Sequence, residues 1–172
     1  MTPLKAGRTL NGTEGSLVAK INNNNVDIAD VKKFSAKIAL DKKALKTLGV
    51  RGEQQKITGW KGTGAMDVYV VSSLWSKIIL DYVNNGKATY FTLTCKMTDP
   101  SSDVGSQTVT LTDVLIDEDE IAKLDVDSAA LEKSFNFTFS GVSMTEGFSF
   151  EDDYTAAENS LGAGNKATVS ST

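Results

Sequence analysis

The chain has 172 residues, of which 40% are hydrophobic and 23% charged, and its formal net charge is −4. This length suits one domain with its own core, since domains usually span about 100 to 150 residues. The absence of histidine and the single cysteine exclude histidine-based triads, imidazole zinc sites and internal disulfides.

The N-terminal third predicts three strands. Residues 16–21 and 26–28 flank four asparagines, residues 22–25. Because asparagine tolerates positive φ, these asparagines are expected to form the tip of a hairpin. Residues 33–40 alternate apolar Phe34, Ala36 and Ile38 with polar side chains, which is typical of a strand with one buried face.

The segment of residues 41–64 is too long and too polar for a plain connection, so we expect an extended loop or hairpin here. The basic residues of this segment outnumber its two acidic ones. Trp60 is its one aromatic residue, which does not favour nucleic-acid readout. The glycines between Gly59 and Gly64 resemble a phosphate loop only superficially, because no Gly-Lys-Ser/Thr opens a helix there. They are expected to shape a tight connection.

One amphipathic helix is predicted over residues 73–84, after a strand at residues 66–71. Ser72 or Ser73 can cap its N-terminus, and the Asn-Asn-Gly ending at Gly86 suits a left-handed stop. Its apolar side chains recur at helical spacing. They are Leu74, Trp75, Ile78, Ile79, Tyr82 and Val83.

The second half of the chain again alternates with a period of two. Residues 90–98 place Cys95 on the apolar face of a strand, so this thiol is expected in the core. In residues 109–116 the apolar phase changes at Asp113, which predicts a bulge. Residues 135–139 alternate three phenylalanines with polar residues. The sequence therefore predicts a mainly β fold, a sandwich or small barrel of about seven strands with one helix.

The acidic residues offer no recognisable catalytic or metal-binding pattern. Residues 117–120, with Asp125 and Asp127, could attract calcium, but Ile121 takes the place of a required EF-hand ligand. No spacing singles out a carboxylate pair for glycoside hydrolysis. No catalytic residue, cofactor or metal site is predicted. A sugar- or ion-binding β-sandwich and a carboxylate hydrolase remain alternatives.

Two features concern organisation and location. Beyond Phe150 the hydrophobic residues thin out, so we expect a β domain over residues 1–150 with an N-terminal arm, and a C-terminal tail over residues 151–172 that is flexible or ordered by assembly. The N-terminal residues lack a signal-peptide core of about 7 apolar residues or more, and no run of about 18 apolar residues occurs. Neither export nor a membrane anchor is expected.

Seven segments, in order, carry a family resemblance. They are residues 11–15, 31–34, 58–64, 80–83 with Gly86, 90–93, 109–114, and 121–128 leading into residues 137–139. In these segments the chain resembles the tail-tube proteins of contractile phage tails, in the group found in PBSX-type defective prophages and diffocin-type phage-tail-like bacteriocins. The resemblance implies a structural protein, not an enzyme. Hexameric rings would stack head to tail into a tube inside a contractile sheath.

The same resemblance implies partners and a location. The partners are further copies of the chain, the tail sheath protein, and the tape measure and baseplate or terminator proteins, with DNA or ions passing non-specifically through the lumen. The location is the tail of a virion or a released bacteriocin particle, assembled in the bacterial cytoplasm.

Charge along the chain suggests how rings would stack. Residues 1–98 contain 15 basic and 7 acidic residues, whereas residues 99–172 contain 3 and 15. Head-to-tail stacking brings unlike surfaces together, so basic residues in the 41–64 loop are expected to meet the acidic run of the next ring. The candidates for this contact are Lys42, Lys43, Lys46, Arg51, Asp117, Glu118, Asp119 and Glu120.

Overall fold

A computed structural model describes residues 9–49, 51–102 and 104–148, and the predicted tail over residues 151–172 lies outside them. Over these residues the chain forms eight strands and one helix, so the mainly β fold with a single helix is confirmed. The strands are β1 Gly15–Ile21, β2 Asn24–Asp27, β3 Val31–Leu45, β4 Gln54–Tyr69, β5 Phe91–Thr98, β6 Ser106–Glu118, β7 Glu132–Phe139 and β8 Gly141–Glu146, and helix α1 spans Leu74–Asn85.

The chain divides into two compact units. The first contains described residues 9–29, 91–112 and 142–148, and the second contains residues 30–90 and 113–141. Strands are hydrogen-bonded in the order β2-β1-β5-β6 in the first unit, where β8 also pairs with β6, and in the order β6-β7-β4-β3 in the second. The pairings β1–β2, β1–β5, β3–β4, β4–β7 and β6–β7 are antiparallel.

The first unit confirms the predicted hairpin, but only two of the four asparagines form its tip, since Asn24 and Asn25 belong to β2. Asn22 and Asn23, between β1 and β2, have φ values of 48° and 66°, which is the left-handed geometry that a two-residue hairpin turn requires. The ladder between β1 and β5 places Ala19 opposite Leu93, and both side chains are fully buried. Cys95 is half-buried beside this core, and burial raises the pKa of its thiol.

A buried carboxylate fastens the start of the first unit. Asp99, which follows β5, accepts hydrogen bonds from the main-chain N–H of Asn11 at 2.8 Å, the N–H of Ser101 at 2.9 Å and the hydroxyl of Ser101 at 2.5 Å. These donors lower the pKa of Asp99, the hydroxyl of Ser101 most. The residues before β1 are therefore held to the loop after β5.

The second unit contains a long hairpin made of β3 and β4. The predicted strand at residues 33–40 is confirmed, but β4 begins at Gln54, twelve residues before the strand predicted at residue 66. The prediction of a tight connection from Gly59 to Gly64 is therefore wrong, because these glycines lie within β4. Gly62 and Gly64 pair with Phe139 and Phe137 of β7, whose rings cover them.

Helix α1 follows the predicted limits. The hydroxyl of Ser72 accepts a hydrogen bond from the N–H of Leu74 at 3.2 Å, and Gly86 ends the helix in the left-handed conformation with φ of 69°. Trp75 is buried, with its ring 5.2 Å from that of Phe135. The predicted apolar stripe is shorter than expected, since its C-terminal members, Tyr82 and Val83, are exposed.

The predicted bulge in β6 is supported by the backbone. Asp113 has a φ of 54°, and the register between β6 and β7 shifts between Ile116 and Glu118. The side chain of Asp113 accepts a hydrogen bond from the hydroxyl of Ser140 at 3.2 Å. The bulge re-phases the strand so that both Leu111 and Val114 are buried.

Candidate assembly surfaces

The far half of the β3–β4 hairpin, residues 38–61, is named here the hairpin arm. β7 pairs with β4 from Gly62 onward, so among the described strands the backbone of the arm pairs only with itself. Every described residue of the arm is exposed except Gly59, which is half-buried. A two-stranded ribbon without a covered face is marginally stable in water. The arm therefore has the features of a surface that is covered and stabilised by another protein chain.

The arm carries an apolar strip, defined as Ile38, Leu40, Ile57 and Trp60. Leu40 lies directly opposite Trp60 in the ladder, and both are about half exposed. The ring of Trp60 lies 6.2 Å from that of the buried Phe139, so the strip begins where the core of the second unit ends. Contiguous exposed apolar surface of this kind marks a site of protein contact.

The arm is also basic, and its charges are poorly compensated. Lys43 lies directly opposite Lys56 in the ladder, an arrangement of like charges that destabilises a strand pair. The ion pair between Lys46 and Glu53 has an N–O distance of 3.5 Å and highly exposed side chains, so it contributes little. Lys42 and Arg51 are exposed as well. An acidic partner would relieve the repulsion.

The acidic candidates do not share one environment. Asp117 accepts a hydrogen bond from the hydroxyl of Thr138 at 3.0 Å, and Glu118 accepts one from the side-chain amide of Asn136. The residues that accept these bonds are exposed and remain open to further contacts. Glu120 is exposed too, 3.6 Å from the ammonium of Lys123.

Asp119 differs from its neighbours because its side chain is fully buried. It forms an ion pair with Lys133 at 2.7 Å and accepts a hydrogen bond from the hydroxyl of Ser76 at 3.1 Å. Lys133 also donates to Ser76 at 2.6 Å. Asp119 is therefore not available at the surface of the subunit. A signal for this cluster was present, since Lys133 occupies the inward phase of Phe135 and Phe137 in β7.

Residues 120–127, named here the acidic segment, are exposed throughout. Leu124 is 96% exposed and Val126 is 100% exposed. They alternate with Asp125 and Asp127, and the N–H of Asp127 donates to the Asp125 carboxylate at 3.1 Å. The alternation of apolar and acidic residues here resembles that of a strand, but no strand forms in this segment.

The described residues hold little that resembles a catalytic or metal centre. Among them, no three of the histidine, cysteine, aspartate and glutamate side chains lie close enough to hold a metal ion. A cleft of about 340 Å³ in the second unit is lined by Lys37, Asp117 and Asn136 with small residues and Phe137. No helix in this part of the chain is long and apolar enough to cross a membrane.

The sequence is similar to proteins already described. A family model with the description "Phage tail tube protein" matches residues 2–146. Two proteins of Bacillus subtilis (strain 168), the uncharacterized protein YqbM and the phage-like element PBSX protein XkdM, are 40% and 39% identical over 143 residues. In both cases the match covers 83% of this chain and 95% of the relative.

Solved structures share the fold at low sequence identity. A chain of the anti-feeding prophage baseplate matches with a TM-score of 0.59 and 16% identity, covering 84% of this chain and 96% of that one. The SPP1 tail tube protein matches with a TM-score of 0.59 and 12% identity, covering 90% and 87%. The chain belongs to the phage tail tube protein family, and the structural role in a tail tube expected from its sequence is confirmed.

Proposed function

We propose that this chain is a non-catalytic subunit that assembles with copies of itself into six-membered rings, which stack head to tail as the inner tube of a contractile tail or a phage-tail-like bacteriocin. The hairpin arm is the observation that carries the proposal. Its two strands are paired only with each other among the described strands, and its apolar strip is exposed to water. Such a surface calls for another protein chain.

A copy of the same chain is the simplest partner for the arm. Contacts between two different surfaces of identical subunits repeat head to tail, and they close into rings or extend into filaments. Six-fold symmetry is supported by the matched anti-feeding prophage chain, which comes from a baseplate structure that was symmetrised six-fold. The SPP1 match comes from a tail tube.

The proposal includes the partners of a complete tail. A tail sheath protein would surround the tube, and tape measure and baseplate or terminator proteins would contact its lumen and ends. The fold similarity to a chain from a baseplate supports this set. DNA or ions would pass through the lumen without specific recognition. Assembly would take place in the bacterial cytoplasm, and the product would be the tail of a virion or a released particle.

Stacking of rings is proposed to use opposite charges. Lys42, Lys43, Lys46 and Arg51 of the hairpin arm lie on the basic side of the contact. Asp117, Glu118 and Glu120 lie on the acidic side, and Asp119 is removed from the set because its buried carboxylate pairs with Lys133. Exposed ion pairs are worth about 0 to 1 kcal/mol each, so they guide subunits more than they hold them.

Negative-stain electron microscopy and sedimentation of the purified full-length chain test the proposal. We expect rings or tubes whose fraction increases with protein concentration. A matched variant, Leu40→Ser with Trp60→Ser, should stay folded and lose the assemblies, because both side chains are half exposed in the subunit. A wild-type chain that sediments as a monomer at every concentration would exclude self-assembly.

A further inference from the structure

We propose that the acidic segment of one subunit docks on the apolar strip of the hairpin arm of a second subunit. The inference rests on the proposed self-assembly and specifies which two surfaces meet. It extends the acidic side of the contact from Asp117, Glu118 and Glu120 to the whole of residues 120–127. The apolar residues Leu124 and Val126 become its centre.

The acidic segment presents exposed apolar side chains that suit contact with an apolar surface. Leu124 and Val126 are almost completely exposed, and Ile121 is about half exposed. Covering such exposed aliphatic side chains with a partner is favourable, because it removes apolar surface from water. Asp125 and Asp127 separate and flank them in the sequence, so charge surrounds the apolar pair.

The segment is also held at both ends. At its start, Asp119 is fixed by the buried ion pair with Lys133 and the hydrogen bond from Ser76. Four residues beyond its end, the carbonyl of Leu131 accepts a hydrogen bond from the N–H of Val70 at 2.9 Å. Anchored ends reduce the conformational entropy that docking would cost.

The apolar strip is the matching receptor. It offers Leu40 and Trp60 side by side, both about half exposed, with Ile38 and Ile57 nearby along the two strands. Between residues 37 and 61 the chain has seven basic residues and two acidic ones. The acidic segment has the opposite balance, with Glu120, Asp125 and Asp127 against Lys123. Apolar surface therefore meets apolar surface, and acidic flanks meet basic flanks.

A second subunit, rather than the same one, must supply the contact. Within the subunit Leu124 and Val126 remain exposed and so does the apolar strip, so the two surfaces do not cover each other. Each subunit carries both surfaces, and the contact uses different patches on its two sides. A contact of this type repeats from copy to copy without limit or until a ring closes.

Cross-linking between two differently tagged chains tests the contact. Both carry Cys95→Ser, and one adds Leu124→Cys while the other adds Leu40→Cys. A short bis-maleimide linker should join the two tags in assembled material. A control chain with Lys20→Cys, an exposed position in the first unit, should not join to Leu124→Cys.

A second variant separates this inference from the proposed function. Leu124→Ser with Val126→Ser should leave the unfolding curve of the subunit unchanged, because both side chains are exposed, and should reduce the assembled fraction at least tenfold. Wild-type tubes together with normal assembly of this variant and no Leu124–Leu40 cross-link would overturn the docking contact alone. Failure of the wild-type chain to assemble would overturn the proposed function as well.

Discussion

Gly64 of β4 lies directly opposite Phe137 of β7, and the phenylalanine ring occupies the space that a side chain at residue 64 would fill. On its other side, a Cβ atom at this position would lie 2.7 Å from the main-chain oxygen of Ser35, which cannot move away cheaply. Phe34 stacks on Phe137 with ring centroids 5.8 Å apart. The glycine is thus part of the aromatic core of the second unit.

Replacing Gly64 by alanine is therefore expected to destabilise the subunit. The added methyl group must displace either the ring of Phe137 or the backbone of β3, which costs about 1 to 3 kcal/mol of unfolding free energy. Chemical denaturation of the monomer measures the change. Gly52→Ala is the matched control, because nothing lies within 4 Å of its Cβ position. Equal stability of the two variants would contradict the close packing.

The buried pair of Asp119 and Lys133 gives a second prediction. Asp119→Ala leaves the Lys133 ammonium buried without its partner, so we expect a loss of about 3 to 5 kcal/mol in unfolding free energy. The double variant Asp119→Leu with Lys133→Met should recover most of this loss, because no uncompensated charge remains. Urea denaturation of both variants checks the prediction. A mild effect of the single change would show that water reaches the site.

The contribution of helix α1 to stability is expected to come from the packing of its first turn rather than from its whole apolar stripe. Trp75→Ala should cost about 3 to 5 kcal/mol, because the buried indole packs on Phe135. Val83→Ala should change the unfolding free energy by less than about 0.5 kcal/mol, since that side chain is exposed. Thermal and chemical denaturation compare the two. A large effect at residue 83 would mean that the end of the helix is covered in the monomer.

Acid is expected to release the segment that Asp99 holds. Because hydrogen bonds lower the pKa of this carboxyl in the folded state, its contribution to stability is present above its ordinary pKa of 3.8 and is lost as the pH falls through the lowered value. Between pH 6 and pH 2, the wild-type chain should lose more unfolding free energy than Asp99→Asn. Parallel curves for the two proteins would show that the three hydrogen bonds do not favour the ionised form.

Charge reversal in the hairpin arm tests the stacking contact. Lys42→Glu, Lys43→Glu and Lys46→Glu together should leave the monomer folded, since these side chains are exposed, and should block elongation of tubes. Reversing Asp117, Glu118 and Glu120 to lysine in the same chain should partly restore it. Electron microscopy of tube lengths is the measurement. Tubes of normal length from the triple glutamate variant would place the contact elsewhere.

Much of the fold could be predicted because it depends on local pattern. Alternation of polar and apolar residues locates the strands, and the change of phase at Asp113 locates the bulge. Asparagine and glycine at Asn22, Asn23 and Gly86 mark positions with positive φ. These strands, turns and the bulge are each specified by residues that are close together in the sequence.

The sequence predictions fail where strand pairing or burial depends on a residue that is distant in the sequence. The middle of β4 has no apolar alternation at Gly62 and Gly64, because Phe139 and Phe137 of β7 provide the apolar surface instead. The burial of Asp119 depends on Lys133, which is adjacent only in the folded chain. The spacing of apolar residues alone does not show where along α1 the core ends, so the predicted burial of Tyr82 is wrong.

Lys43 and Lys56, which face each other across the hairpin arm, also affect how the free subunit behaves before assembly. Two identical arms that approach edge to edge bring Lys43 and Lys56 of each copy into the same neighbourhood. Charged residues on an exposed ribbon act as gatekeepers against indiscriminate strand pairing and aggregation. The arrangement that weakens the isolated arm thus favours unaggregated subunits, and it reserves the arm for a surface of opposite charge.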